Sequence, residues 1–268
     1  MKKPTGFHVR HDLRPQLTHE LLLVLKTASM GLELKEIQTL AAQHGLELRH
    51  RKSYTKLLLS LRELNVIKQQ AQNVCLSHIG ETLAVLSLYQ PHLLAECIHF
   101  LYMTSWDKET NNRVSWSYKT VCQLLWQNAP GTVDKDRLVR QVGQKAEEAF
   151  AVGDISFSVS SIAGIFQWLA QLQPPCLQEN HFILRPYCPL ETFMLAINHL
   201  YQTSGKQTYL PISPTLRQQV CQICLIPTEA FFDLLQQTDD CFPQLHIRRE
   251  RGDRYAIHNF GWHHLLEE

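Results

Sequence analysis

A chain of 268 residues with 44% hydrophobic content is too long for one small module and suits two or three compact domains of an ordinary folded protein. Its 26 Lys and Arg balance 25 Asp and Glu to a formal charge of +1, which excludes a bulk polycation and confines any nucleic-acid contact to local patches. The eight scattered cysteines do not form the regular framework of a small disulfide-stapled domain. The basic start Met1-Lys2-Lys3 leads into no apolar signal core, and Leu21 to Leu25 is too short for a membrane span. The expectation is a cytoplasmic protein with reduced thiols and no membrane contact.

Residues 7 to 16 are polar and rich in His and Arg, and read as an arm or lead-in. A first helix is expected from Thr18, as N-cap, through Leu21, Leu22, Leu25 and Ala28, and a second from Leu34 to His44 with Gly45 as its stop. The basic stretch Arg49-His50-Arg51-Lys52-Ser53-Tyr54-Thr55-Lys56 then opens a third helix near Ser53. Its periodicity predicts a buried stripe of Leu57, Leu58, Leu61 and Leu64. Lys52, Tyr54, Thr55, Lys56, Ser60 and Arg62 are left for the outer faces. Val66 to Gln69 and Val74 to Leu76 read as two strands about a polar turn, and Ser77-His78-Ile79-Gly80 opens the next helix. Helices over 80–88 and 91–103 follow, and Asp107 to Arg113 reads as a linker.

The middle third repeats this plan more loosely. Helical patterns run over 117–128, 134–151 and 160–172, and a hairpin follows around Gln178-Glu179-Asn180. The third of these helices offers Ser160, Ser161, Gln167 and Gln171 and no positive charge. The last third does so again, with helices from Pro189, Ser213-Pro214 and Pro227. The third of these carries Phe231, Phe232, Leu234 and Leu235 as its apolar residues. A closing hairpin holds Arg248, Arg249, Arg251 and Arg254 about a turn at Gly252-Asp253.

Two basic features stand out. A helix entering the major groove needs one apolar side docked on its own domain and another offering Arg, Lys, Ser, Thr or Tyr to phosphates and base edges. The segment Arg49, Arg51, Lys52, Ser53, Tyr54, Thr55 and Lys56 fits that need. The same segment is also what a solvated polar face would look like. Arg248, Arg249, Arg251 and Arg254 could lie along a phosphate backbone, or be laced to Glu250 and Asp253 within a charged turn. Lys2, Lys3, His8, Arg10, His11 and Arg14 could form a minor-groove arm or a frayed terminus.

Cys221 and Cys224 have zinc-ligand spacing but fall on an apolar helical face with no matching second pair, so buried thiols are expected and no metal or cofactor is assigned. Cys176, Cys188 and Cys241 could join them only through the tertiary fold. No phosphate loop, His-Glu-x-x-His or Gly-x-Ser-x-Gly motif occurs, and the chain reads as a binding protein rather than an enzyme.

The run from Leu34 to Leu86 resembles the winged helix-turn-helix superfamily, carried by Leu61-Arg62-Glu63-Leu64-Asn65-Val66-Ile67 and Val74-Cys75-Leu76-Ser77-His78-Ile79-Gly80. Residues 189–260 resemble a second such module and 115–185 a weaker one. The resemblance implies a mainly α fold with short β-hairpins in tandem winged-helix modules, two clear and one weaker in the middle. The expected domains are 1–105, 106–188 and 189–268. It further implies duplex-DNA binding, as in repressors and replication initiators, with a role in transcription regulation or recruitment in a prokaryote-like setting. The alternative it implies is protein scaffolding, as in chromosome-organising complexes, with protein partners or self-association.

Overall fold

The computed structural model describes residues 7–8, 14–28, 31–46, 51–106, 113–150, 155–205, 210–243, 245–249 and 255–259. For 7, 8, 51–54, 249, 255, 256, 258 and 259 it gives the backbone alone. The chain is mainly helical with small sheets, and one order of elements occurs three times.

After a short strand β1 (Phe7–His8) come α1 (Pro15–Lys26), β2 (Leu32–Glu33), α2 (Leu34–Gln43), α3 (Arg51–Glu63), β3 (Ile67–Gln70) and β4 (Asn73–Leu76). Two further helices follow, α4 (His78–Tyr89) and α5 (Pro91–Thr104). The order then recurs as α6 (Arg113–Gln127), β5 (Gly131–Thr132), α7 (Lys135–Phe150), an added strand β6 (Ile155–Ser156), α8 (Val159–Leu169), β7 (Leu177–Gln178) and β8 (His181–Phe182). It recurs once more as α9 (Leu190–Thr203), β9 (Leu210–Pro211), α10 (Pro214–Cys224), α11 (Phe231–Cys241), β10 (Leu245–Arg249) and β11 (Tyr255–Asn259). Each repeat closes the same antiparallel three-stranded sheet, with its last strand in the centre: β2-β4-β3, β5-β8-β7 and β10-β11-β9.

Local sequence explains most element ends. Pro15, Pro91 and Pro214 each occupy a first helical turn, where a missing amide costs nothing. Ser77 and Ser213 cap α4 and α10 by accepting the amides of Gly80 and Leu216, both at 3.1 Å. α1 begins at Pro15 and not at Thr18. Thr18 lies buried inside the first turn with its hydroxyl on the Arg14 carbonyl at 3.2 Å. β1 pairs in parallel with β6 through Phe7–Ile155 and His8–Ser156, so this part of the expected free arm is a strand against the middle repeat. Of the expected linker, Arg113 already belongs to α6, and residues 107–112 lie outside the described residues.

The apolar faces of all three repeats merge into one core. It runs from Leu17, Leu21 and Leu61 through Ile98, Tyr118 and Trp168 to Phe193, Val220 and Phe231. α5 is the element common to the repeats, packing on α4, α6, α8, α9 and α10. Among the described residues, no helix is long and apolar enough to cross a membrane.

The seam between repeats is sealed by polar contacts at the C-terminal end of α10. Arg185 is fully buried. Its Nε and Nη2 donate to the Cys224 carbonyl at 3.0 and 2.6 Å, its Nη1 to Glu96 Oε1 at 2.5 Å, and its backbone amide to the Leu225 carbonyl at 3.0 Å. Glu96 also accepts from the Gln173 amide at 3.0 Å and the Thr192 hydroxyl at 3.2 Å. Burial works against the Arg185 charge, but the adjoining Glu96 carboxylate leads the effects that turn the net pKa shift upward. Trp126 Nε1 donates to the Ile226 carbonyl at 3.0 Å.

His99 completes the set. Its Nε2 meets the Ile223 carbonyl at 2.8 Å and its Nδ1 the Tyr118 hydroxyl at 2.9 Å. A carbonyl can only accept, so Nε2 carries the proton and Nδ1 of the neutral ring accepts from Tyr118. Burial, aided by the Arg185 charge, pushes the His99 pKa down to about 3.

Two measurements test this packing. A Cβ on Gly80 would lie 2.1 Å from the Val66 carbonyl oxygen, a fixed backbone atom, so Gly80→Ala should lower chemical-denaturation stability by about 2 kcal/mol or more. The folded chain also holds His99 neutral well below the pH at which the unfolded chain would protonate it. Stability from this group is therefore present above about pH 6.5 and is lost as pH falls towards 3, by up to about 1.4 kcal/mol per pH unit. Urea midpoints measured across that window should fall less steeply for His99→Gln than for the wild type.

Candidate nucleic-acid interface

α3 is helical from Arg51, so Arg51, Lys52, Ser53, Tyr54, Thr55 and Lys56 form its first turn and a half. Their side chains are described from Thr55 onward, and Arg49 lies outside the described residues. Leu57, Leu61 and Leu64 are buried against the core, α3 packing on α1 and β3. Thr55, Lys56 and Arg62 are exposed.

Two positions correct the expected stripe. Leu58 is only half-buried, and Ser60, expected outside, is fully buried with its hydroxyl on the Lys56 carbonyl at 3.1 Å. The helix is thus turned so that 57, 60, 61 and 64 face inward, and Ser60 is tolerated there because its hydroxyl bonds back to its own helix.

That rotation opens a cleft of 260 Å³ along α3. Thr55, Leu58, Leu59 and Arg62 of α3 line it together with Lys68, Gln69 and Val74 of the hairpin and Leu34 at the start of α2. Lys68 is an addition that helix-centred reading passes over. In β3 it is exposed after buried Ile67 and lines the same cleft as Arg62. Two cations, Arg62 and Lys68, therefore border an apolar floor, while Lys56 continues the basic first turn.

The equivalent helices of the other repeats differ in charge. α8 buries Ile162, Ile165, Phe166 and Leu169 and exposes Val159, Ser160, Ala163 and Gln167. Ser161 is half-buried, its hydroxyl accepting the Ser158 amide at 3.3 Å. α11 exposes Phe232 together with Asp233, Gln236, Gln237 and Asp240. Position for position, the third helix is cationic in the first repeat, neutral in the second and acidic in the third.

Of the second basic feature, Arg248 is exposed on β10 opposite Ala256. Arg249 pairs with Tyr255 in the strand register, and Arg251, Arg254 and the turn at 252–253 lie outside the described residues. The hairpin rests on α11, where Asp239 accepts the Ile247 amide at 3.2 Å and faces His246 Nδ1 at 3.6 Å. It belongs to the third repeat and α3 to the first, so the structure carries the two basic features on separate units. Lys2, Lys3, Arg10 and His11 lie outside the described residues, and Arg14 is half-buried at the start of α1.

Cys221 and Cys224 are fully buried in α10, as the apolar face implied. Burial pushes the Cys221 thiol up to about 12 and Cys224 well above its usual range, with the buried Cys188 thiol as a shared neighbour. Cys241 is exposed. Among the described residues, no group of His, Cys, Asp and Glu has the geometry to hold a metal ion.

No protein-family model and no curated protein matches this sequence. Among solved structures, the SspB crystal structure is similar in fold, with a TM-score of 0.60 and 13% identity over 95% of this chain and 84% of that one.

The rotation of α3 can be measured. Leu61→Ala should cost about 2–5 kcal/mol of unfolding free energy as a core truncation. Lys56→Ala on the opposite side should stay within about 0.5 kcal/mol. Equal losses at the two positions would contradict the burial described.

Proposed function

We propose that the three repeats are tandem winged-helix modules and that the first grips duplex DNA through α3, in a cytoplasmic binding protein acting in regulation or recruitment. The module assignment is supported by the thrice-repeated order of helix, strand, two helices and hairpin, and by a sheet whose last strand is central each time. The SspB likeness concerns the fold alone.

The observation that carries the DNA reading is the contrast among the three equivalent helices. Only α3 joins a docked apolar side to an outer side with Lys56, Arg62 and a basic first turn, in a chain of charge +1. A helix N-terminus favours phosphate through its free amides, and a recognition helix presents its N-terminal residues to the groove. Arg49, Arg51, Lys52 and Lys56 would meet phosphates, Ser53, Tyr54 and Thr55 base edges or sugars, and Arg248, Arg249, Arg251 and Arg254 of the last hairpin a neighbouring backbone.

A second reading rests on a different observation. The floor of the α3 cleft is leucine-rich, Leu34 is 45% exposed beside it, and Val85, Leu88 and Tyr89 form another exposed apolar group on α4. These are features of an adaptor that holds protein partners or a second copy of itself.

A duplex titration at several salt concentrations separates the readings. Replacing Arg49, Arg51, Lys52 and Lys56 by Ala should weaken binding and flatten the slope of log K against log salt by ~0.9 for each phosphate no longer neutralised. Duplex affinity unchanged by that variant would refute the α3 grip. No duplex affinity at moderate salt, with a stoichiometric co-purifying protein, would favour the adaptor.

A further inference from the structure

Where α5, α6, α9 and α10 meet, the three repeats leave a pocket of 140 Å³ that shares no lining residue with the α3 cleft. Its polar groups are Thr104 from α5, Lys119 and Gln123 from α6, His199 from α9, and Gln219 and Gln222 from α10. Lys119, His199 and the three glutamines can donate hydrogen bonds, the Thr104 hydroxyl is committed to the Phe100 carbonyl at 2.8 Å, and no carboxylate lines the pocket.

Lys119 is half-buried, and among the described residues no carboxylate lies within ion-pair distance of it. Burial lowers its pKa, and burial together with the Lys119 charge lowers that of His199. A partly desolvated ammonium with no counter-charge is unfavourable unless something supplies the missing negative charge. The carboxamides and imidazole that line the same pocket supply N–H donors of the kind such a guest needs. Gln219 and Leu200 also line an adjoining groove of 450 Å³ with hydroxyls from Thr203, Ser204, Ser213 and Thr215. The small cationic pocket and the larger, hydroxyl-rimmed groove thus lie on either side of shared residues, Leu200 and Gln219.

We propose that the junction pocket binds the phosphate of a small phosphomonoester, with Lys119 as the charge partner, His199 and the glutamines as donors, and the ester's body in the adjoining groove. Because four helices from all three repeats supply the walls, the guest would tie the repeats together independently of any duplex bound at α3. Failure of the α3 grip leaves this site standing, and the reverse also holds.

Calorimetric titration of the full chain with inorganic phosphate, adenosine monophosphate and adenosine tests it. The monophosphate should bind saturably, phosphate more weakly, and adenosine not at all. Lys119→Met should weaken monophosphate binding by about tenfold or more. Because it removes an unpaired, half-buried charge, it should leave the melting temperature unchanged or higher. Gln222→Leu, on α10, is the second variant and should also weaken binding. Absence of saturable binding by phosphate and monophosphate alike, or undiminished binding by both variants, would overturn the site. Equal affinity for phosphate and monophosphate would overturn the ester and leave a free-phosphate pocket, and equal affinity for adenosine would overturn the role of the charge.

Discussion

The structure depends on how the C-terminal end of α10 is satisfied. A helix leaves its last carbonyls without intrahelical donors, and at a buried end water cannot supply them. Here the Ile223, Cys224, Leu225 and Ile226 carbonyls receive donors from outside the third repeat: His99 from α5, Arg185 from the segment after β8, and Trp126 from α6. Leu225 adopts a left-handed conformation at φ 55°, a position where glycine is the usual occupant, at a cost of roughly 1–2 kcal/mol. The cap is thus made by neighbours, and the strain is offset by bonds that exist only when the repeats are together.

Those bonds are directional, which the apolar core is not. Leucines and phenylalanines pack without directional demand, whereas Arg185 must reach Glu96 and the Cys224 carbonyl together, as it does in this arrangement. Glu96 extends the constraint to α9 through Thr192 and to the loop after α8 through Gln173. Losing one partner of such a pair would strand a buried charge, at about 3–5 kcal/mol. Three copies of a common plan are held in this way as one arrangement.

Much of this was legible in the sequence, and the misses have physical causes. Period and punctuation located α2 with its stop at Gly45, α10 with its Ser213 cap, and the hairpins after α3, α8 and α11. The rotation of α3 was not legible because Leu57, Leu58, Leu59 and Leu61 cover more than half the helix circumference. With leucine on so much of the surface, the packing of α1 selects the inward side, and Ser60, expected outside, is accommodated there because its hydroxyl bonds back to the Lys56 carbonyl. The β1–β6 ladder is two residues long and parallel, too short for alternation to mark. Arg185 follows Leu184 and precedes Pro186 in a loop, where an arginine is ordinarily exposed. Glu96 did carry a signal, since it stands among Leu94, Ala95 and Ile98 on a helix with little polar face. A carboxylate there requires a buried cation, and the sequence could not say which.

The same geometry bears on how α3 could serve either proposed reading. Side chains three and four apart share a flank of a helix. Lys56 and Glu63 fall along one flank, and Thr55, Leu58, Leu59 and Arg62 along the other, which lines a cleft with Lys68. Phosphate contact would draw on the first turn of the first flank, while an apolar partner would settle on the middle of the second. The two uses compete only near Arg62. The last hairpin is less free to share the load, because it sits on acidic α11. Asp233, Asp239 and Asp240 belong to that helix, and like Arg248 they act within a Debye length of about 8 Å only on what lies close. A duplex meeting that hairpin would face partly cancelled charge, whereas along the first turns of α3 the described side chains include no carboxylate before Glu63. In the proposed DNA reading, the first repeat therefore carries the grip and the third steadies it.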